Sequence, residues 1–203
     1  RQMCIRDSFY PSVGFSLIFN KLMTLPRWVS LAKIRGAYSM VGNDIPMFIT
    51  NPSSHITAGG EFLASDAAPF KDMEPEMTHS FEAGIEARFL KNRIGLNATF
   101  YKTNTRNQFF KLPTLSGDKY AYRYVNAGNI QNVGWEVSLD AVPLLTNHFK
   151  WKTEVNFSTN RNKIISLHEA LKEFLYGPTS FSSSYAMKLV KGGSIGDIYG
   201  KAF

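Results

Sequence analysis

Apolar and polar residues alternate along most of the chain. Phe81, Ala83, Ile85, Ala87 and Phe89 share one side of a run in which Ser80, Glu82, Gly84, Glu86 and Arg88 share the other. Successive side chains of a strand point to opposite faces, so this run predicts a strand with one apolar and one charged face. Lys91-Asn92-Arg93 makes a tight polar turn. Beyond it Ile94, Leu96, Ala98 and Phe100 alternate with Gly95, Asn97, Thr99 and Tyr101. The two runs predict an antiparallel hairpin.

The unit recurs on either side. Phe9–Asn20 predicts a first strand, with Val13, Phe15, Leu17 and Phe19 on one face. A linker with Pro26 and Trp28 leads to a second strand over Lys33–Val41. Val133–Ala141 predicts a fifth, with Trp135 and Leu139 opposite Glu136 and Asp140. Phe149–Asn160 predicts a sixth, with Trp151, Val155 and Phe157 opposite Lys152 and Glu154. Residues 42–76 and 104–132 are rich in turn residues such as Asn51-Pro52 and Gly59-Gly60 and read as long loops. Residues from Arg161 onward read as loop, with one or two helical turns over Ile164–Leu175.

Three features of this pattern converge on a membrane barrel. Every predicted strand has the same two-faced split, which a soluble sandwich also shows. Aromatics sit toward the ends of the apolar stripes. From Phe81 to Phe89 is roughly 26 Å of strand at about 3.3 Å per residue. At a 40° tilt, that is close to the ~25 Å apolar band of an outer-membrane barrel. The connections also alternate, short after the first, third and fifth strands and long after the others, as in barrels with short periplasmic turns and long outer loops. The fold class expected is all-β: an antiparallel, up-and-down transmembrane β-barrel segment of about six strands, with short periplasmic turns and long extracellular loops. In it, Phe81, Ile85, Phe89, Leu96, Phe100, Trp135, Leu139, Trp151, Val155 and Phe157 face lipid. Glu82, Glu86, Arg88, Glu136, Asp140, Lys152 and Glu154 line the lumen.

Composition changes this picture little. Mean hydropathy is −0.18, which a barrel tolerates because alternation averages out. No apolar run is long enough for a spanning helix. The net charge of +7 is scattered through turns and polar faces, so it does not form a nucleic-acid-binding stripe. The one cysteine, Cys4, excludes an intrachain disulfide. Residues 1–8 are polar and read as a non-native leader.

Catalytic chemistry is not indicated, and no cofactor is expected. His55, His79, His148 and His168 have no metal-ligand spacing. Gly192-Gly193 with Gly196 lacks the Lys-Ser or Lys-Thr of a phosphate loop, and Ser182-Ser183-Ser184 reads as a flexible loop. Glu82 and Glu86 would stand about 13 Å apart on one strand, beyond the ~5 to 9.5 Å of paired-carboxylate hydrolases. The richest binding candidate is the aromatic loop with Phe109, Phe110, Tyr120, Tyr122, Tyr124 and Arg123, which would contact substrate or a covering partner.

The ordered series FYPSVGFS, KIRGAYSMVGND, EPEMTHSFEAGIEARFLKNRIGLNATFYK, NAGNIQNVGWEVSLDA, WKTEVNFSTNRNKIISL and GGSIGDIYGKAF resembles the C-terminal barrel of SusC/RagA-like TonB-dependent outer-membrane transporters. That resemblance implies a barrel of about 22 strands around a plug. It implies energised import of glycans or peptides across the outer membrane of a Gram-negative, Bacteroidetes-like cell, with a SusD-like surface lipoprotein capping the mouth. Contact with the TonB complex would come through an N-terminal part. On this basis 9–203 is expected to be a partial barrel without plug and remaining strands. A soluble β-sandwich binding carbohydrate through the tyrosine loop is the competing expectation.

Overall fold

The computed structural model describes residues 9–43, 50, 52, 54–63, 65–70, 73–114, 118–126, 128–167, 173–176 and 185–200. The proposed leader 1–8, His168 and Ser182–Ser184 lie outside the described residues.

Among the described residues the regular structure is β throughout, save for one 3-10 turn. Strands β1 (Ser12–Ile18), β2 (Val29–Asn43), β5 (Glu76–Phe89), β6 (Ile94–Arg106), β9 (Asn129–Leu145) and β10 (Lys150–Ser166) form one sheet in the order β1-β2-β5-β6-β9-β10. The order is up-and-down: each neighbour in the sheet is the next long strand along the chain. β1 and β2 pair antiparallel, Phe15 opposite Gly36 and Leu17 opposite Ile34. Among the described residues, β1 and β10 are the two edges of this sheet.

All six predicted strands are present, with shifted ends. β1 is shorter than expected and passes into a 3-10 turn over Phe19–Lys21. β2 starts at Val29, so the linker after Trp28 is shorter than its composition suggested. β9 and β10 each run 17 residues, well past the predicted stretches. Part of the extra length is the polar-rich segment 129–132, a strand that periodicity does not advertise, and the rest is 142–145 of β9 and 161–166 of β10.

The expected long loops contain strands of their own. β3 (His55–Ile56) pairs with β4 (Phe62–Leu63), and β7 (Phe109–Pro113) with β8 (Tyr122–Asn126). The expected helical turns over Ile164–Leu175 are not seen among the described residues of that stretch, and 168–172 lie outside them. Ile164–Ser166 completes β10, and Glu173–Tyr176 is strand β11, paired with β12 (Tyr185–Val190), which also pairs with β13 (Ile198–Gly200). The apolar spacing of IISLHEALKEFL suits a helix, yet at Glu173–Tyr176 pairing with β12 holds the chain extended.

Two of the three expected short turns are tight, those after β5 and β9, whereas the connection after β1 runs over residues 19–28. After β5 the chain reverses over Leu90–Arg93, with Leu90, Lys91 and Asn92 all at positive φ, between 51° and 64°. After β9 it reverses through Thr146–Phe149, closed by the Thr146 N–H on the Phe149 carbonyl.

Two compact units divide the chain. One comprises Arg1–Val41, His79–Asn104 and Gln131–Asn162, and the other Gly42–Thr78, Thr105–Ile130 and Lys163–Phe203. The first is a single sheet layer whose apolar face stays open. The second has a small core of Phe110 and Leu112 from β7, Ile130 from β9, Ile164 from β10 and Leu189 from β12, flanked by Val125, Leu167 and Ile195. Ile164 and Leu189 are fully buried, and each contributes about 1.5–3 kcal/mol by leaving water. Gly192, at φ 89°, lets the turn after β12 fold back so that its N–H reaches the Ile164 carbonyl.

Candidate functional site

In the first unit the two faces of the sheet differ in chemistry. Phe15, Phe81, Ile85, Trp135, Leu139, Trp151, Val155 and Phe157 are exposed on the apolar face. Phe89 and Phe100 are half-buried because neighbouring aromatics lie on them. Trp28 stacks on Phe89 at 5.7 Å, and Trp135 meets Phe100 at 5.0 Å. Leu96 is also half-buried. Phe15, left out of the expected lipid-facing set, sits over Gly36, where an added Cβ would stand 2.6 Å from its ring.

The opposite face is polar and cross-linked. Lys33 pairs with Glu86 at 3.4 Å, Arg88 with Asp140 at 3.2 Å and Lys152 with Glu154 at 3.6 Å. These pairs are partly or largely exposed, so each contributes at most about 1 kcal/mol. Arg35 donates to Thr99 Oγ1 at 2.7 Å and to Asn97 Oδ1 at 3.3 Å. It shares a polar hollow of about 330 Å³ with Glu136, Ser138, Asn156 and Ser158. Glu82 is exposed on the same face, beside a second hollow of about 340 Å³ that also touches Arg35.

Arg35 and its partners were not singled out by the sequence. The signal was present in the glycines. Arg35 on β2 reaches Asn97 and Thr99 on β6 across β5, at Gly84, where an added Cβ would lie 2.7 Å from Arg35 Nε. Arg88 on β5 reaches Asp140 on β9 across β6, at Gly95, where an added Cβ would overlap the Asp140 carboxylate. At Gly134 it would meet the Tyr101 hydroxyl at 2.5 Å. A glycine at a polar-face position of an otherwise well-formed strand marks a close approach.

In the second unit the tyrosine segment is ordered into the β7–β8 hairpin. Lys111 stands opposite Tyr124, and Leu112 opposite Arg123. Directly opposed residues share a face, so Phe109, Lys111, Tyr122 and Tyr124 lie on one side, and Phe110, Leu112, Arg123 and Val125 on the other. Two expectations are corrected here. Phe110 is a core residue, 7% exposed, and is not available to a ligand. Arg123 lies on the face away from the tyrosines and does not join them. Tyr122 and Tyr124 pack edge-to-face at 5.7 Å, and Phe109 meets Tyr124 at 6.2 Å. Lys111 Nζ lies 3.6 Å from the centre of the Tyr122 ring, and Lys119 Nζ 5.5 Å from that of Tyr120.

The hairpin is held at both ends. Tyr122 accepts from the Ala68 N–H and donates its own N–H to the Asp66 carbonyl. Asn126 Nδ2 donates to the carbonyls of Glu74 and Asn107, and its Oδ1 accepts from the Glu74 N–H. Asn107 Nδ2 in turn donates to Glu74 Oε2 at 2.6 Å. Asn107 sits at φ 56°, a conformation asparagine tolerates better than most residues. Glu76, in this unit and outside the Phe81–Phe89 stretch, is 8% exposed. Burial pushes its carboxyl above the usual carboxylate range, against the opposing effect of a hydrogen bond with Asn43. Among the described residues no group of three metal-ligating side chains occurs.

A single antiparallel layer with an exposed aromatic-aliphatic face and an ion-paired polar face is the wall architecture of transmembrane β-barrels. A soluble sandwich would pack that apolar face against a second sheet. The chain belongs to the TonB dependent receptor-like β-barrel family, whose family model matches residues 5–179. TonB-dependent receptor P39 of Formosa agariphila is 25% identical over 169 residues, covering 78% of this chain and 16% of the relative. TonB-dependent receptor SusC of Bacteroides thetaiotaomicron is 29% identical over 136 residues, covering 63% of this chain and 13% of the relative. The chain therefore spans about a sixth or less of the length of these curated relatives. The structure of the RagAB peptide importer in its closed-closed state superposes with a TM-score of 0.75 at 19% identity, covering 91% of this chain and 20% of that one. This likeness shows the shared fold.

Proposed function

We propose that the chain forms part of the wall of an outer-membrane, TonB-dependent importer. The observation that carries this reading is the two-faced sheet. Its exposed apolar face suits lipid, and its ion-paired face suits a water-filled or plugged interior. Phe81, Ile85, Phe89, Leu96, Phe100, Trp135, Leu139, Trp151, Val155 and Phe157 contact lipid. Glu82, Glu86, Arg88, Glu136, Asp140, Lys152 and Glu154 line the lumen. The turns at Leu90–Arg93 and Thr146–Phe149 face the periplasm, and the segments bearing β3–β4 and β7–β8 lie outside the cell.

The likeness to SusC and to the RagAB importer supports import of oligosaccharide or peptide with a SusD-like lipoprotein at the mouth. Phe109, Tyr120, Tyr122 and Tyr124 contact substrate or that partner in this reading, which their ring cluster supports. The test is performed on the full-length protein in its own cells. It should fractionate with outer membranes, and uptake of its substrate should stop when the TonB complex is deleted. Recovery in the soluble fraction without detergent, or uptake indifferent to TonB, would overturn the assignment.

A further inference from the structure

We infer that the tyrosine face of the β7–β8 hairpin binds an anionic oligosaccharide, one carrying carboxylate or sulfate groups on its sugar rings. This deepens the import reading above and rests on it.

The first reason is what the tyrosines present. A neutral sugar stacks on a bare aromatic face. Here Lys111 Nζ sits over one face of Tyr122 and Lys119 Nζ lies 5.5 Å from the Tyr120 ring centre. The tyrosines meet each other and Phe109 edge to face, which uses further ring surface. What remains outward is ammonium groups beside phenol hydroxyls.

The second reason is charge. Between Phe109 and Asn126, leaving aside Arg123 on the other face, the chain has Lys111 and Lys119 against one carboxylate, Asp118. Among the described residues neither lysine is in an ion pair. Asp118 Oδ1 accepts the Lys119 backbone N–H at 2.7 Å. A lysine held over a ring keeps its charge and its remaining donors for an anion.

The third reason separates a sugar from a peptide. An extended peptide binds most readily by adding a strand to a free sheet edge. At Tyr122 the β8 edge is already occupied by the Asp66 carbonyl and the Ala68 N–H. Recognition on this face is left to side chains, and the hydroxyls of Tyr122 and Tyr124, two positions apart on β8, suit a chain of sugar hydroxyls better than a peptide backbone.

The test uses the full-length protein in detergent, with tetragalacturonate as the anionic probe and cellotetraose as a neutral one of equal length. At 50 mM NaCl tetragalacturonate should bind at least about tenfold tighter. Lys111→Gln with Lys119→Gln should remove that preference, and so should 500 mM NaCl. Both lysines are exposed, so the variant should keep the wild-type thermal midpoint. Equal binding of the two sugars, an unchanged preference in the variant, or tighter binding of tetraglutamate than of either sugar would overturn the inference. Binding in detergent is read independently of TonB-driven uptake. Loss of uptake with the preference intact would count against the import reading alone.

Discussion

Arg88 donates to Asp140 at 3.2 Å although a whole strand, β6, lies between their own strands. The contact exists because β6 presents Gly95 at the crossing point. Arg35 repeats the arrangement over Gly84 of β5, reaching Thr99 at 2.7 Å.

Gly95→Ala should therefore destabilise the full-length barrel by about 1–3 kcal/mol through overlap with the Asp140 carboxylate. Asp140→Ala should cost about 1 kcal/mol or less, since the pair is partly exposed. The double variant should cost less than the sum, because removing the carboxylate relieves the overlap. Urea unfolding of the three proteins gives the coupling, and additivity within about 0.5 kcal/mol would mean the two sites do not touch.

The assignment of faces predicts an asymmetry on β5. Ile85→Arg should lower stability by about 2–4 kcal/mol in a bilayer, and Glu82→Arg on the opposite face by about 1 kcal/mol or less. Folded yield in lipid vesicles measures both. Equal tolerance would remove lipid from the apolar face.

Much of this was legible in the chain, for a physical reason. Alternation at period two is forced on any strand with unlike surroundings on its two faces, so Phe81–Phe89 and Trp135–Ala141 announced themselves. The loop regions were less legible. Phe109-Phe110 looks like an exposed aromatic pair, yet strand geometry sends the two rings to opposite sides and buries Phe110 with Ile164 and Leu189. Those partners lie more than fifty residues further along, where no local pattern couples them. Arg123 was misassigned for the same reason, since its side depends on the register with Leu112.

Phe110→Ala should cost about 3–5 kcal/mol in the second unit by opening a cavity in its core. Phe109→Ala should cost distinctly less, because Phe109 is on the outer side of the hairpin. Amide hydrogen exchange in β7 and β8 reports this directly. Equal protection in the two variants would refute the facial assignment.

Topology is testable with thiols. In the full-length protein freed of its own cysteines, cysteines at Asn92 and Asp118 are exposed to an impermeant reagent on whole cells. Asp118→Cys should label and Asn92→Cys should not. The opposite result would invert the barrel. Ser116, also in the β7–β8 connection, lies outside the described residues, and Asp118 is the better position.

Glu76 gives a pH signature. Its carboxyl titrates above the range it has in the unfolded chain, so its contribution is fully present below the unfolded value. That contribution is lost as pH rises through the folded one. Glu76→Gln should be more stable than wild type at neutral pH and should flatten stability against pH across the acidic range. A variant less stable than wild type at pH 7 would show that the charged form is the one the fold prefers.

The glycines beneath Arg88 and Arg35 also act as a key for assembly. A strand that slips by one residue turns its apolar face inward and is rejected at once. A slip by two residues keeps the faces correct and is the harder error to exclude. On β6 such a slip would replace Gly95 with Arg93 or Asn97 beneath the Arg88–Asp140 contact. On β5 it would set Glu82 or Glu86 under Arg35. Neither crossing has room for a side chain, so the misaligned sheet loses both ties and gains two clashes, and the hairpins can dock with their neighbours in one alignment.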